Sequence, residues 1–524
     1  MQLAKSLAIS LFGLNGRLIE VEADISSNLP GFVLVGLPDA SLQEASARVR
    51  AACVNTGLGW PNRKITVNLS PASVPKAGSS FDLAIAASVL CASGLLSSEA
   101  IGGNLLIGEL TLDGAVRGVR GVLPMITAAK QLGVTSFVIP AANLAEASLV
   151  DGVRVIAVAS LAEFARHFGH SGELRDPSAP IEHEPRRVEA LASDAADAAG
   201  EAGEAGDMFD VLGQATAVEA MAIAAVGGHH TLLVGPPGSG KTMLAQRLAG
   251  ILPLPDAETS VQNASMASLV GVAAPLARVP FVAPHHGISA SALVGGGNSV
   301  PRPGLISLAH GGVLFLDEAP EFAPAALDAL REPLESAQIS IARAGGVAVF
   351  PARCQLVLAA NACPCGNRGV RGRECTCSHG QRQRYAGRVS GPLLDRFDLR
   401  LRIQPASIAD RAKSARDANR PTSAQLRERV IAARTRTADR LSDSPWSLNS
   451  EVSGAYLRRL NRGNPKAVRI LDAALTRGTI SMRGYDRCLR VAWSIADFEG
   501  VDSLSASIVG QALFLRGQDG WVAE

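Results

Sequence analysis

The sequence predicts an α/β chain of several domains, with a P-loop nucleotide-binding core near its centre and an all-α segment after it. Three observations carry this. At TLLVGPPGSGKTMLAQRLAG an apolar strand runs into a glycine-rich loop and then into a helix. Strand-like and helix-like patterns alternate on both sides of a polar stretch. From residue 405 onward the strand signals give way to helical spacing, as in SAQLRERVIAARTRTADRL, where Ser423 is the expected N-cap.

Composition bounds the rest. A chain of 524 residues has room for roughly three domains. With 47% hydrophobic and 19% charged residues it can bury several cores. A net charge of +2 means that any nucleic-acid surface must be local. Eight cysteines are too few for a disulfide scaffold, and four of them crowd into 363–377, which points to a reducing compartment and a metal. MQLAKSLAISLFGL faintly resembles a signal peptide, but its apolar run is short and RLIEVEADI continues in strict strand alternation. No uncharged apolar run reaches the roughly 18 residues of a membrane span. The expectation is a cytoplasmic protein without membrane contact.

The chain divides into four blocks. Residues 1–168 alternate strand-like runs (ITVNLS, NLLIGEL, SFVIP) with alanine-rich helical ones. Residues 169–206, rich in Pro, Glu, Asp and Ala, read as a solvated linker. Residues 207–404 return to βα alternation, and 405–524 read as helical.

The strongest motif is Gly235-Pro236-Pro237-Gly238-Ser239-Gly240-Lys241-Thr242, a G-x-x-x-x-G-K-[ST] loop between strand and helix. Its backbone N–H groups and the helix N-terminus suit ATP phosphates. Lys241 should reach the β- and γ-phosphates, and the Thr242 hydroxyl should ligate Mg²⁺. Lys241 is the single lysine between Lys130 and Lys413, in a stretch that otherwise uses arginine. A compact ammonium fits this pocket where a planar fork would not. Downstream, GGVLFLDEAPEF ends an apolar strand on Asp317-Glu318. Asp317 fits the role of Mg²⁺ ligand and Glu318 that of the base acting on water. The bland alternative is a strand ending in an acidic turn. The strand QLVLAAN ends on Asn361, placed to orient water. Arg396, in SGPLLDRFDLRLRI, is either a surface charge or a finger that reaches a neighbouring γ-phosphate.

Together these residues resemble the AAA+ ATPases, and specifically the magnesium-chelatase-like ComM/YifB group. APHHGISASALVGGGNSVPRPGLISLAHGGVLFLDEAPEF, NACPCG, SGPLLDRFDL and SMRGYDRCLRVAWSIADFEG carry the likeness. The resemblance implies an N-terminal α+β domain of Lon-protease or ribosomal-S5 type, a chelatase-like AAA+ α/β core, and a C-terminal helical lid. It implies that Asn361 is sensor 1, Arg396 the arginine finger, and Arg483 sensor 2, with Arg487 the weaker candidate. A finger that acts between subunits implies a homo-oligomeric ring, most simply a hexamer. Members of the group act as DNA motors, including branch migration in natural transformation.

KITVNLSPASVPKAGSSFDLAIA resembles the Lon segment that carries the catalytic serine, with Ser80 at that position. A Ser-Lys dyad needs a lysine to take the serine proton. The expected lysine positions after GELTL hold Leu123 and Met125, and Lys130 comes about a helical turn too late. The expectation is a protease fold without protease chemistry.

Two stretches are candidates to grip DNA. AQISIARAGGVAVFPARC reads as a hairpin turning at Gly345-Gly346, with Arg343 beside the turn and Arg353 at the far end. The loop from His285-His286 through VGGGNSVPRPG offers Arg302. Such cations contact phosphates without reading sequence. On a strand the two histidines would point opposite ways. The bland alternative is that these arginines solvate a hairpin.

Cys363, Cys365, Cys375 and Cys377 form C-x-C-x₉-C-x-C, a spacing unlike that of common zinc ribbons but able to surround tetrahedral Zn²⁺. His379 or Cys354 could replace one ligand, and free thiols or disulfides are the alternative. The competing functions are an ATP-driven DNA translocase, a chelatase-type motor or remodelling ATPase on a protein or tetrapyrrole-metallation partner, a Lon-like protease that lacks its lysine, and a remodelling chaperone or regulator.

Overall fold

The alternation in RLIEVEADI becomes the strand Asn15–Ser26, and the apolar N-terminus becomes its antiparallel partner, Gln2–Phe12. Both belong to this computed structural model, which describes residues 2–36, 39–74, 76, 78–178, 206–272, 278–297, 300–343, 345–370, 372–462 and 464–517. Most of the expected linker therefore lies outside the described residues.

The N-terminal sheet has seven strands in the order Gly31–Val35, Lys64–Ser70, Asn15–Ser26, Gln2–Phe12, Leu105–Leu106, Ser136–Pro140, Arg154–Val158. Period-two alternation sends Ala4 and Ala8 to one core and Ile9 to the other. The fully buried helix Asp82–Ala92 covers the first face, and Val122–Gln131 covers the second. Residues 171–178 also lie against this unit: the Arg175 N–H bonds the Thr56 carbonyl at 2.9 Å.

The central sheet is all parallel, in the order Phe281–Val282, Val313–Leu316, Gln355–Ala360, Thr231–Val234, Leu399–Arg402. The three central strands are buried along their whole length, as expected where helices cover both faces. Helices Ala215–Gly227 and Lys241–Ile251 share one apolar core with the C-terminal helices Ser423–Arg440, Gly454–Leu460, Pro465–Thr476, Met482–Glu499 and Ala506–Arg516. The expected N-cap is off by one residue. Thr422 caps Ser423–Arg440 in a capping box with Gln425, while the Ser423 hydroxyl accepts the Met208 N–H at 2.8 Å.

The expected hairpin forms from Gln338–Arg343 and Gly346–Pro351. Its register pairs Arg343 with Gly346, so the turn is 344–345 and not Gly345-Gly346. Ala344 itself lies outside the described residues. The tip of the N-terminal β-hairpin docks here: a Cβ on Gly13 would come 2.9 Å from the Ala348 Cβ, and Phe12 and Leu14 join the core of Ala348 and Phe350. No helix among the described residues is long and apolar enough to cross a membrane.

Candidate nucleotide site

In parallel α/β sheets ligands collect at the carboxyl ends of the strands. Thr231–Val234 ends there on the phosphate loop, Val313–Leu316 on Asp317, and Gln355–Ala360 on Asn361. The strand leading to Asn361 lies between the other two, which places the amide between the loop and the acidic pair.

The side chains meet there. Lys241 is buried and donates to the Gly235 carbonyl at 2.8 Å, the Pro236 carbonyl at 3.0 Å and Asn361 Oδ1 at 3.2 Å. Burial lowers its pKa, and the charges of Asp317 and Glu318 oppose that. The Thr242 hydroxyl donates to Asp317 Oδ2 at 2.7 Å. Asp317 Oδ1 accepts the Glu318 N–H at 2.8 Å, which fixes the carboxylate from both ends.

Loop geometry prepares the site for an anion. Gly240 has φ +88°, a value that favours glycine, and a Cβ on Gly235 would lie 2.3 Å from the Ile403 carbonyl. Ser239 is buried, yet its hydroxyl has no hydrogen-bond partner among the described residues. An orphan donor inside a phosphate loop is what a phosphate oxygen would satisfy. Thr242 and Asp317 together offer oxygens suited to Mg²⁺.

Glu318 sits at φ 50°, a left-handed backbone uncommon for a non-glycine residue and a place where functional sites store strain. Its carboxylate Oε2 is 3.8 Å from His286 Nδ1. The two histidines do not lie on a strand: their rings stand 3.9 Å apart where the chain enters a turn at His286. The sequence carried no signal for the contact between His286 and Glu318.

Arg396 lies elsewhere. It donates to the Arg331 carbonyl at 3.1 Å, the Pro392 carbonyl at 2.6 Å and Glu335 Oε1 at 2.5 Å. None of these partners belongs to the phosphate loop. Burial lowers its pKa, Glu335 opposes this, and the charges of Arg331, Arg487 and Arg483 lower it further. Arg483 itself is exposed near the start of the helix Met482–Glu499. Arg487 is committed: it donates to Asp398 Oδ1 at 2.6 Å and to the Arg396 carbonyl at 3.0 Å. Asp398 also meets His229 at 2.8 Å, and His229 meets the Ser494 hydroxyl at 2.8 Å. This buried chain ties the last strand of the sheet to the helix Met482–Glu499.

Three family models match the chain. "Magnesium chelatase, subunit ChlI" covers 207–411, "Subunit ChlI of Mg-chelatase" covers 21–143, and "Magnesium chelatase, subunit ChlI C-terminal" covers 420–516. The competence protein ComM of Haemophilus influenzae is 39% identical over 519 residues, covering 98% of both chains. The chain belongs to the magnesium-chelatase-like ComM/YifB family. Its relatives include YifB of Salmonella typhimurium, 39% identical with 98% of each chain covered. An uncharacterized protein of Mycobacterium tuberculosis is 46% identical, over 98% of this chain and 99% of its own. Similarity to a Lon protease of Mycolicibacterium smegmatis, 33% over 147 residues, covers 27% of this ComM/YifB chain and 18% of the protease. Membership places the chain among AAA+-type motors.

The remaining expected residues fall on the surface or in the cysteine cluster. Arg343 donates to the Gly297 carbonyl at 2.7 Å, which fastens the hairpin to the loop that carries exposed Arg302; residues 298–299 of that loop lie outside the described residues. Arg353 faces Glu451 of the C-terminal helical segment at 3.7 Å. Cys363, Cys365, Cys375 and Cys377 bring their sulfurs within 4.8 Å of one another. His379 and Cys354 are not in that group: Cys354 is buried in the core beneath the hairpin.

In the N-terminal domain Leu123 is fully buried and Met125 nearly so. Lys130 donates to the Asp151 carbonyl at 2.6 Å. Lys76 donates to the Gly36 and Pro71 carbonyls. The Ser79 hydroxyl, next to Ser80, donates to Glu109.

Proposed function

We propose that this chain hydrolyses ATP as a ring-forming motor acting on DNA, in branch migration during recombination or natural transformation. The observation that supports it most is the joining of Lys241, Asn361, Asp317 and Thr242 in one site. Lys241 and the backbone of Gly235–Thr242 would hold the phosphates, and Thr242 and Asp317 would hold Mg²⁺, which supplies charge neutralisation at the β- and γ-oxygens. Glu318 would draw the proton from the attacking water, and Asn361 would orient that water. Arg396 bonds Arg331, Pro392 and Glu335 and none of the partners of Lys241, and Arg483 is exposed. They would complete the nucleotide site of a neighbouring subunit, which requires a ring, most simply a hexamer. The relative named as a competence protein supports DNA as the partner. Arg343 and Arg302, on the fastened hairpin and loop, would contact phosphates.

The N-terminal domain would serve assembly without protease chemistry, since its buried Leu123 and Met125 offer no base. The second reading, a chelatase-type motor on a protein or tetrapyrrole-metallation partner, is favoured by the family-model descriptions. ATP-dependent unwinding of a branched duplex by the purified chain supports the first. Metal insertion into protoporphyrin with a partner chain, without unwinding, replaces it with the second.

A further inference from the structure

We propose that Cys363, Cys365, Cys375 and Cys377 hold one structural Zn²⁺, and that this metal clip sets the geometry of the nucleotide site. The consequence for ATP turnover rests on the ATPase reading above; the metal site does not.

Three of the sulfurs already form a triangle of the right size, and the Cys377 sulfur lies within 4.8 Å of each of them. Cys363 and Cys365 are 3.4 Å apart, Cys365 and Cys375 3.7 Å, and Cys375 and Cys363 3.6 Å. A tetrahedron with Zn–S bonds of about 2.3 Å has edges of roughly 3.8 Å. Four soft thiolates favour zinc over the hard cations that carboxylates bind. Backbone groups support the ligands from outside: the Arg368 N–H points at the Cys363 sulfur at 3.4 Å, and the Asn367 and Thr376 backbones bond to Cys365. Three glycines between the ligand pairs, Gly366, Gly369 and Gly372, all adopt positive φ, the fold-back that a clip with C-x-C arms requires.

Three contacts lead from the clip to the nucleotide. Cys363 is two residues from Asn361, the amide that accepts from Lys241. The Tyr385 hydroxyl, on the helix His379–Ala386 that follows the last cysteine, reaches the Asn361 backbone. Gly366 lies so close to the phosphate loop that a Cβ there would come within 2.8 Å of Pro237 Cδ. The clip thus lies against the P-loop at Gly366 and, at Cys363, continues directly from the sensor residue. Metal binding contributes directly to the order of such a segment. Loss of zinc would release Asn361 and the outer wall of the loop together, though no cysteine touches ATP.

The experiment uses the full chain purified under reducing conditions. It measures zinc by elemental analysis, the charge-transfer and ligand-field spectrum after Co²⁺ replacement, affinity for a fluorescent ATP analogue, and ATP turnover. The expected result is one zinc per chain and a tetrahedral cobalt–thiolate spectrum. Cys375→Ser with Cys377→Ser should lose the metal and lower turnover about tenfold or more, within the usual range of coupling between sites. Cys375→His should restore metal and activity, since imidazole replaces thiolate in many zinc sites. Gly366→Ala keeps all four ligands: it should retain zinc and the cobalt spectrum, yet bind the ATP analogue about tenfold more weakly. Wild-type protein without zinc overturns the site, as does stoichiometric iron in its place. Zinc-free protein with unchanged turnover overturns the coupling, and so does Gly366→Ala with unchanged nucleotide affinity. A wild-type chain that holds zinc but neither binds nor hydrolyses ATP overturns the coupling through the ATPase reading and leaves the metal site standing.

Discussion

Replacing Arg487 with alanine probes the joint between the central parallel sheet and the C-terminal helices. Arg487 bonds Asp398 at 2.6 Å and the Arg396 carbonyl at 3.0 Å. Asp398 is almost fully buried, and without Arg487 its charge retains His229 as its direct side-chain partner. Removing one partner of a buried ion pair costs about 3–5 kcal/mol, because the remaining charge stays desolvated. At about 2–4 °C per kcal/mol for a unit of this class, the thermal midpoint should fall by roughly 6–20 °C. The pH dependence has a defined direction. Burial pushes the Asp398 carboxyl upward, but Arg487 and His229 outweigh it and hold the group well below the usual carboxylate range. A depressed carboxyl contributes stability above about pH 4 and loses it as the pH falls. In Arg487→Ala the upward push of burial meets less opposition, so the folded-state carboxyl is less depressed and the acid-side loss should be smaller and end at a higher pH. The assay is thermal unfolding, followed by near-ultraviolet circular dichroism, from about pH 2 to pH 8, a range that spans the window below the ordinary carboxylate pKa of about 4. A loss below about 1 kcal/mol, the worth of an exposed pair, together with an unmoved acid limb, would refute the reasoning.

Further outcomes follow from the site. Lys241→Ala should weaken ATP binding by about 2–5 kcal/mol, roughly 30-fold to several-thousand-fold, measured by titration with a fluorescent analogue; retained turnover would sink the assignment. Arg396→Ala should leave nucleotide binding intact and remove turnover. An equal mixture with wild type should fall below half activity, whereas a strictly additive mixture argues against a finger acting across subunits. Arg343→Ala should weaken duplex and single-stranded DNA alike and reduce the slope of log affinity against log salt by about one, read by fluorescence anisotropy at several salt concentrations.

Local signals made much of this legible in the sequence. The phosphate loop is a linear motif, so Gly235–Thr242 could be read directly. Asp317 and Asn361 stood out because each ends a short buried strand, and strand tips in a parallel sheet carry sites. Alternation in RLIEVEADI identified the second strand. What escaped depends on contacts between distant segments. His286 reaches Glu318 across more than thirty residues of intervening chain, and nothing in APHHG encodes that. Arg487 lies four residues after Arg483 on one helix, and only the fold shows that it is spent on Asp398. The hairpin turn slipped by one residue because Ala344-Gly345 and Gly345-Gly346 are both plausible two-residue turns and only cross-strand pairing decides between them. The helix start slipped for a similar reason: Thr422 and Ser423 are both good caps, and Met208, far away in sequence, occupies one of them. The cysteine spacing named candidates, but the exclusion of Cys354 came from its burial in the core beneath the hairpin.

The central claim is that this site drives work on DNA. The measurement that tests it most directly is ATP hydrolysis by the purified chain alone and with single-stranded, duplex and four-way-junction DNA at two salt concentrations, with Lys241→Ala as the control. The account predicts turnover that rises with DNA, most with the junction, that weakens at high salt as phosphate contacts are screened, and that is absent from the variant. Hydrolysis that ignores every DNA at both salt concentrations would contradict it.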